Sequence, residues 1–223
     1  MKQLYFETEY ENLRKRIITM AAEVEQQMNR FIQAYTNRDE GLAEQIIYQD
    51  SKIDVLQMEI DELCVTLFAK FQPMAHDLRF VVAVIKINND LERIADEIAN
   101  ITRRLAYLLP RPRLKADLMP MAALAQEMLH LVVDALVNDR LEYCDLVLEK
   151  EKRMDDFLVR NNNMIIDIMK QESGNIKRGF NLIMMAKCLE RIGDLTTNVA
   201  EDIIYYIKAK DIRHSRGQVG NGD

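Results

Sequence analysis

The chain is poor in the residues that form turns. Its 223 residues include four prolines, seven glycines and no tryptophan. So few turn-forming residues argue against a turn-rich β-sandwich or β-barrel. Methionine is abundant, with 13 residues, and leucine, isoleucine, alanine, glutamate and lysine are frequent. These residues favour helices, so the composition predicts a helical protein.

The chain also lacks an excess of basic residues. It has 30 lysines and arginines against 36 aspartates and glutamates, which gives a formal net charge of −6 at pH 7. Nucleic-acid binding needs a basic surface, so this balance argues against a nucleic-acid partner. It is compatible with bound cations or with basic protein partners.

Cysteine is scarce, and its pattern argues against a disulfide framework. The three cysteines, Cys64, Cys144 and Cys188, are odd in number and far apart. We expect buried free thiols in a reducing compartment. The N-terminus lacks the apolar core of a signal peptide, and the longest aliphatic run, residues 80–85, is much shorter than a bilayer span. The sequence therefore predicts a cytoplasmic protein that reaches a membrane only through partners.

Apolar residues recur at steps of three and four along nearly the whole chain, which is the period of amphipathic helices. Polar breaks separate six helices in two sets of three, and the Pro-Arg-Pro segment 110–112 divides the sets. Short connections make neighbouring helices antiparallel. The sequence thus predicts an all-α fold of two tandem antiparallel three-helix bundles related by pseudo-twofold symmetry.

The same breaks predict the domain boundaries. Residues 1–109 form the first bundle, residues 113–210 form the second, and residues 211–223, which are rich in glycine, form a disordered tail. We expect each bundle to have its own core. Each half has enough residues to fold alone, though marginally.

A short phrase occurs twice in the chain. L-E-R-I-A-D at residues 91–96 recurs as L-E-R-I-G-D at residues 189–194, an offset of 98 (189 − 91). An internal repeat on this scale predicts two copies of one structural unit. The acids of each copy, together with an asparagine four residues later, stack along the helix face opposite the packed seam. They are Glu92, Asp96 and Asn100 in the first copy, and Glu190, Asp194 and Asn198 in the second.

The middle helix of each half adds another acidic pair. Asp50 and Asp54 are matched by Glu151 and Asp155 at an offset of 101 (151 − 50). Like charges four residues apart destabilise a helix by about 0.2–0.5 kcal/mol per pair, and no lysine follows four residues after any of these acids. Clustered oxygen ligands suit divalent and trivalent metal ions. We therefore predict metal sites on these acids and asparagines in both halves.

Other interpretations remain open at this point. The acids could form a solvated helix face, or Glu92 and Glu190 could pair with Arg93 or Arg191 of another subunit. A helical scaffold with incidental metal binding is a further alternative. A ferritin-like di-iron oxidase is disfavoured because it needs Glu-x-x-His on two helices, and residues 127–130 are the only instance. The sequence has no glycine-rich phosphate loop and no G-x-S-x-G motif, so we predict no enzymatic activity.

Together with a Q-P-x-A-x-D-L-R segment at residues 72–79, the doubled L-E-R-I-x-D-x-x-x-N motif resembles the PhoU family of phosphate-uptake regulators, over residues 5–208. The resemblance implies two three-helix bundles that carry multinuclear clusters of metal ions such as iron, zinc, manganese or magnesium. It further implies a non-enzymatic regulator between the ATPase of the phosphate ABC transporter, PstB, and the sensor kinase PhoR. Such a regulator represses the phosphate-starvation response, and we expect it to be a homodimer.

The Q-P-x-A-x-D-L-R segment occurs only in the first half. The second half has Asn-Ile-Lys-Arg at residues 175–178 instead, so the two halves need not have the same function. Asp77 and Arg79 of this segment lie at the start of the third predicted helix, at one end of the bundle. We predict that they contact a partner protein.

Overall fold

A computed structural model describes residues 2–48 and 51–212, and it is all-α as predicted, with no strand in these two ranges. The described chain forms seven α-helices and one 3₁₀ turn. The helices are α1 Lys2–Asn37, α2 Glu40–Tyr48, α3 Ser51–Phe71, α4 Ala75–Leu108, α5 Met119–Asn138, α6 Leu141–Gln171 and α7 Ile176–Lys208, and the 3₁₀ turn is Ser173–Asn175.

The first turn of each half has the same backbone conformation. Arg38 follows α1 with a φ of 56°, and Asp139 follows α5 with a φ of 53°. These two positions are related by the repeat offset of 101 (139 − 38). A residue in the left-handed region stops a helix, so both turns are set locally. After the first turn, the N–H of Leu42 donates to Asp39 Oδ1 at 2.9 Å and so caps α2.

The middle helix of the first half is described only in part. The structure describes it as α2 and α3 on either side of residues 49–50, which lie outside the described ranges. The equivalent α6 of the second half is continuous. Asp50, one of the predicted metal ligands, therefore lies outside the described residues.

The two halves are joined by a broad helical contact. Within the described chain, α4 and α7 pack against each other more extensively than any other pair of helices. Two ion pairs cross this contact, from Arg191 to Glu97 at 3.1 Å and from Lys86 to Asp202 at 2.9 Å. Buried apolar side chains from both halves belong to one core. The expectation of separate cores is therefore wrong, because the apolar faces of α4 and α7 cover each other.

The C-terminal tail is described only at its start. Ile212 packs against the core, although residues 211–223 are predicted to be disordered. Residues 213–223 lie outside the described ranges.

One helix of the described chain is long and apolar enough to cross a bilayer by length and composition alone. It is α5, and 56% of its apolar stretch is buried inside the protein. A helix at the centre of a folded domain has these properties, so the finding is weak support for a membrane span.

A polar cluster fixes the contact between the halves at one end. The hydroxyl of Tyr206, a fully buried residue of α7, donates to Asp139, and Arg14 of α1 pairs with the other Asp139 oxygen at 2.5 Å. The Tyr206 ring also lies edge-on to Phe80 of α4, with centroids 5.4 Å apart. Burial and the neighbouring Asp139 carboxylate raise the pKa of Tyr206, so its hydroxyl stays protonated and continues to donate.

Replacing Tyr206 by phenylalanine is expected to lower the free energy of unfolding by about 2 kcal/mol, since hydrogen bonds to charged acceptors contribute about 1.5–3 kcal/mol. Urea denaturation followed by circular dichroism measures the change. The matched control is Tyr205→Phe, because the hydroxyl of this half-buried neighbour makes no hydrogen bond within the described chain and its loss should cost less than about 0.5 kcal/mol. Equal losses in both variants would contradict the role of the Asp139 hydrogen bond.

Candidate metal centre

The second half brings three of the predicted acids together. Asp155 of α6 and Glu190 and Asp194 of α7 each direct one carboxylate oxygen into a space where these oxygens lie within 4.8 Å of one another. Glu190 and Asp194 share one face of α7 because they are four residues apart. Asp155 comes from the antiparallel α6, so the group depends on how the two helices pack. We call these three residues the second acidic group.

The electrostatics of the second acidic group favour a cation. Burial raises the pKa of Asp194 to about 6, and the neighbouring Glu190 adds to the shift. Asp155 and Glu151 raise it further, while Lys187 opposes them. Because the ionised form of Asp194 is disfavoured in this way, a neighbouring positive charge would stabilise it strongly.

Lys187 is a functional neighbour that the sequence analysis missed. Its Nζ lies 2.7 Å from both oxygens of Glu190, one turn away on α7. The expectation that no cation is interleaved in the acidic rows is therefore wrong here, because the lysine precedes the glutamate by three residues rather than following it by four. The side chain of Lys187 is 57% exposed, so solvent screens this ion pair, and the pKa of Asp194 remains raised despite it.

The other predicted ligands of the second half lie beside this group. Glu151 is half-buried one turn before Asp155 on α6, and it is close enough to raise the pKa of Asp194. Asn198 is exposed one turn after Asp194 on α7. Both could add oxygen ligands beside the second acidic group.

The first half does not show an equivalent group among the residues that the structure describes. Asp54 and Asp96 are exposed and Glu92 is half-buried, but no three acids there come as close as those of the second acidic group. The amide oxygen of Asn100 accepts a hydrogen bond from Arg103 at 2.8 Å. Since Asp50 lies outside the described ranges, the first-half site stays a prediction.

The arginines of the repeated phrase have partners within the chain. Arg93 pairs with Asp90 at 3.2 Å and Arg191 pairs with Glu97 at 3.1 Å. Arg93 and Asp90 are three residues apart on α4, and that spacing was a signal available in the sequence. Glu97 lies beside the apolar seam of α4, where a charged side chain can reach the neighbouring helix. These pairs engage both arginines, so the alternative in which they neutralise Glu92 and Glu190 of another subunit loses support.

Three carboxylates without a nearby thiol or imidazole form a hard oxygen donor set. Such a set suits magnesium and manganese best and also accepts iron or zinc. The three cysteines are buried and free, as predicted, and burial raises each thiol pKa to about 12. His130 contacts Glu25 at 2.7 Å and Asp134 at 3.6 Å, outside the second acidic group. The second acidic group therefore fits the metal that the family resemblance implies.

Asp77 and Arg79, the predicted partner contacts, lie in the first turns of α4. Asp77 is half-buried and its carboxylate is 3.7 Å from His76 Nδ1. Arg79 is also half-buried, and its Nε is shielded from solvent without a hydrogen-bond partner in the described chain. The segment before them bends sharply, because Gln72 and Ala75 on either side of Pro73 have φ values of 53° and 49°.

A family model, related sequences and solved structures all identify the same family. The model of the PhoU domain matches residues 17–105 and again residues 118–203. The chain is 34% identical over 214 residues to the phosphate-specific transport system accessory protein PhoU of Serratia marcescens, with 95% of this chain and 88% of that protein covered. It is 32% identical to the Escherichia coli protein of the same name, over 95% of this chain and 89% of that protein.

Solved structures show the same fold. The crystal structure of PhoU from Pseudomonas aeruginosa superposes with a TM-score of 0.87 at 31% identity, over 92% of this chain and 100% of that one. The phosphate transport system regulatory protein PhoU from Streptococcus pneumoniae gives a TM-score of 0.85 at 25% identity, over 92% and 98% of the two chains.

Proposed function

Because the chain belongs to the PhoU family, we propose that it is a metal-binding regulatory adaptor of phosphate homeostasis. In this proposal it links the transporter ATPase PstB to the sensor kinase PhoR and represses the phosphate-starvation response when phosphate is plentiful. The names of its relatives support a role in the regulation of phosphate transport. It acts in the cytoplasm as a homodimer, has no catalytic turnover and reaches the membrane only through its partners.

The observation that carries the metal part of the proposal is the second acidic group. Asp155, Glu190 and Asp194 would hold the metal, with Glu151 and Asn198 beside them. A bound cation would supply the positive charge that the crowded carboxylates lack. By the internal repeat, Asp50, Asp54, Glu92, Asp96 and Asn100 would form the corresponding site in the first half.

A repeated apolar surface supports the adaptor part. Both halves expose apolar side chains at equivalent positions of the middle helix, α3 in the first half and α6 in the second. Met58 and its equivalent Val159 are 62% and 61% exposed, and Val65 and Ile166 are 60% and 40% exposed. Exposed apolar residues that recur in this way on a folded protein indicate contact surfaces. Two such surfaces, one per half, suit a protein that contacts two partners.

The polar surroundings of the two surfaces differ. Glu62, beside the first surface, is replaced by Asn163 at the equivalent position of the second. Asn89 is likewise replaced by Lys187. The halves therefore present similar apolar side chains in different electrostatic settings, which favours two different partners over two copies of one partner.

Deleting the gene is expected to leave phosphate-starvation genes active in phosphate-rich medium, because repression is lost. A starvation-promoter reporter measures this, and a plasmid copy of the gene should restore repression.

Arg79→Glu is expected to weaken one partner contact at least about tenfold, since charge reversal turns attraction into repulsion at a desolvated contact. Binding of purified variant to the ATPase and to the kinase is measured separately.

The matched control for Arg79→Glu is Lys177→Glu, at the equivalent position of the second half (177 − 79 = 98). Thermal unfolding of both variants checks the fold, because Arg79 is half-buried. Normal binding of Arg79→Glu to both partners would remove Arg79 from the contact. Binding of the wild-type chain to neither partner, with repression independent of the gene, would overturn the adaptor function.

A further inference from the structure

A cavity of about 490 Å³ lies beneath the linker that joins the two halves. Its walls come from the end of α1, the end of α4, linker residues 109 and 112–117, and single residues of α5, α6 and α7. Leu105, Leu108 and Leu182 contribute an apolar interior. The volume falls in the range of pockets that bind small organic molecules, about 300–1,000 Å³.

The linker over the cavity is held in place from both halves. The Arg38 guanidinium donates to the carbonyl oxygen of Leu109 and, at 2.8 Å, to that of Arg111. From the other half, Arg178 of α7 donates to the carbonyl oxygen of Pro112 at 3.2 Å. A loop with its backbone fixed in this way gives a preformed wall, and a preformed site loses less entropy when a ligand binds.

Positive charge surrounds the cavity. Arg38, Arg113 and Lys115 line it, against the single acid Asp117. Hydrogen bonds from the two arginines to backbone carbonyl groups fix their positions and leave their charge in place. Lys115 is exposed and makes no hydrogen bond or ion pair in the described part of the chain, so it is available to a ligand.

The geometry points to a binding site for a small amphipathic anion, with its apolar body among Leu105, Leu108 and Leu182 and its anionic head group at Lys115. A free inorganic anion fits poorly, because the interior offers mainly apolar surface and would strip its hydration. A cationic or neutral amphiphile lacks the attraction to the three basic residues. Because such a ligand would touch the linker and both halves, its binding would stabilise their association. This inference does not depend on the proposed adaptor function.

Isothermal titration calorimetry with decanoate tests the site on the full-length protein. We expect one decanoate per chain with a Kd on the order of 10–100 μM, as the size of the ligand allows. Decyltrimethylammonium, a probe of similar length and opposite charge, should bind at least about tenfold more weakly. Equal affinity for the two probes, or no saturable binding of decanoate at millimolar concentration, would overturn the assignment.

Three variants locate the binding. Leu108→Trp fills the cavity and should abolish decanoate binding, and Leu114→Trp in the linker provides a second filling variant if the first is poorly folded by circular dichroism. Lys115→Glu should weaken binding about three- to tenfold. Lys152→Glu, at an exposed position of α6, should leave it unchanged. Unaltered binding to a folded cavity-filling variant, or equal effects of the two lysine substitutions, would place the decanoate elsewhere and refute the site.

Discussion

Addition of a divalent metal ion is expected to stabilise the protein by about 2.7 kcal/mol when the free ion is at 100 times its Kd, because only the folded chain assembles the second acidic group. The triple variant Asp155→Asn, Glu190→Gln, Asp194→Asn should lose this stabilisation. Without metal it should be at least as stable as the wild type, since it lacks the burial of a charged carboxyl group and the repulsion from Glu190 that together raise the pKa of Asp194 to about 6. Thermal denaturation with Mn²⁺, Zn²⁺, Fe²⁺ and Mg²⁺ in turn measures the effect.

The matched control is the corresponding first-half variant, Asp54→Asn, Glu92→Gln, Asp96→Asn. The structure describes no close group among these acids, so this variant should keep the metal bound by the second half. Elemental analysis of protein purified without chelator or affinity nickel gives the metal content of each. A wild-type chain that carries no metal and gains no stability from any of the four ions would show that the acids form a solvated face.

Separate expression of residues 1–109 and 113–223 is expected to give unstable halves. Each half would expose the helix face, α4 or α7, that it buries against the other in the intact protein. Exposure of Phe80, which lies against Tyr206 of the other half, should by itself cost up to about 1.5–3 kcal/mol, and each kcal/mol lowers the melting temperature of a half by about 4–8 °C. Circular dichroism and light scattering measure the melting temperature and the association state.

The two halves expressed together should instead form a complex of one copy each. The intact chain with a protease site in place of residues 110–112 provides the control, and after cleavage it should still elute as one species. If each half is monomeric alone and melts near the temperature of the intact protein, the contact between α4 and α7 contributes little, and the predicted domain boundaries describe independent folding units.

The sequence by itself determined the fold class, the two-part organisation and the family. The spacing of apolar residues along a helix is a local pattern, so the sequence alone predicted the helices and the apolar face of each. The repeated phrase identified two copies of one unit, and the four-residue spacing placed Glu190 and Asp194 on one face of α7. The burial of the three cysteines also followed from their place in the helical pattern.

Only the tertiary structure decided which of these residues meet. Periodicity gives the face of a helix but neither its partner nor the register between them. Asp155 reaches Glu190 and Asp194 only because α6 packs antiparallel to α7 in one particular register. The ion pair between Arg191 and Glu97 joins residues nearly a hundred positions apart, which local spacing cannot predict.

The same reason explains why the expectation of separate cores was wrong. The position of the linker suggested separate cores. Burial of apolar surface is favourable wherever two complementary faces can pack, and the apolar faces of α4 and α7 pack against each other across the two halves. The cavity beneath the linker likewise depends on packing, because it is lined by four stretches of chain that are distant in sequence. Local spacing thus determined which side chains could act together, and packing between distant helices decided which of them do.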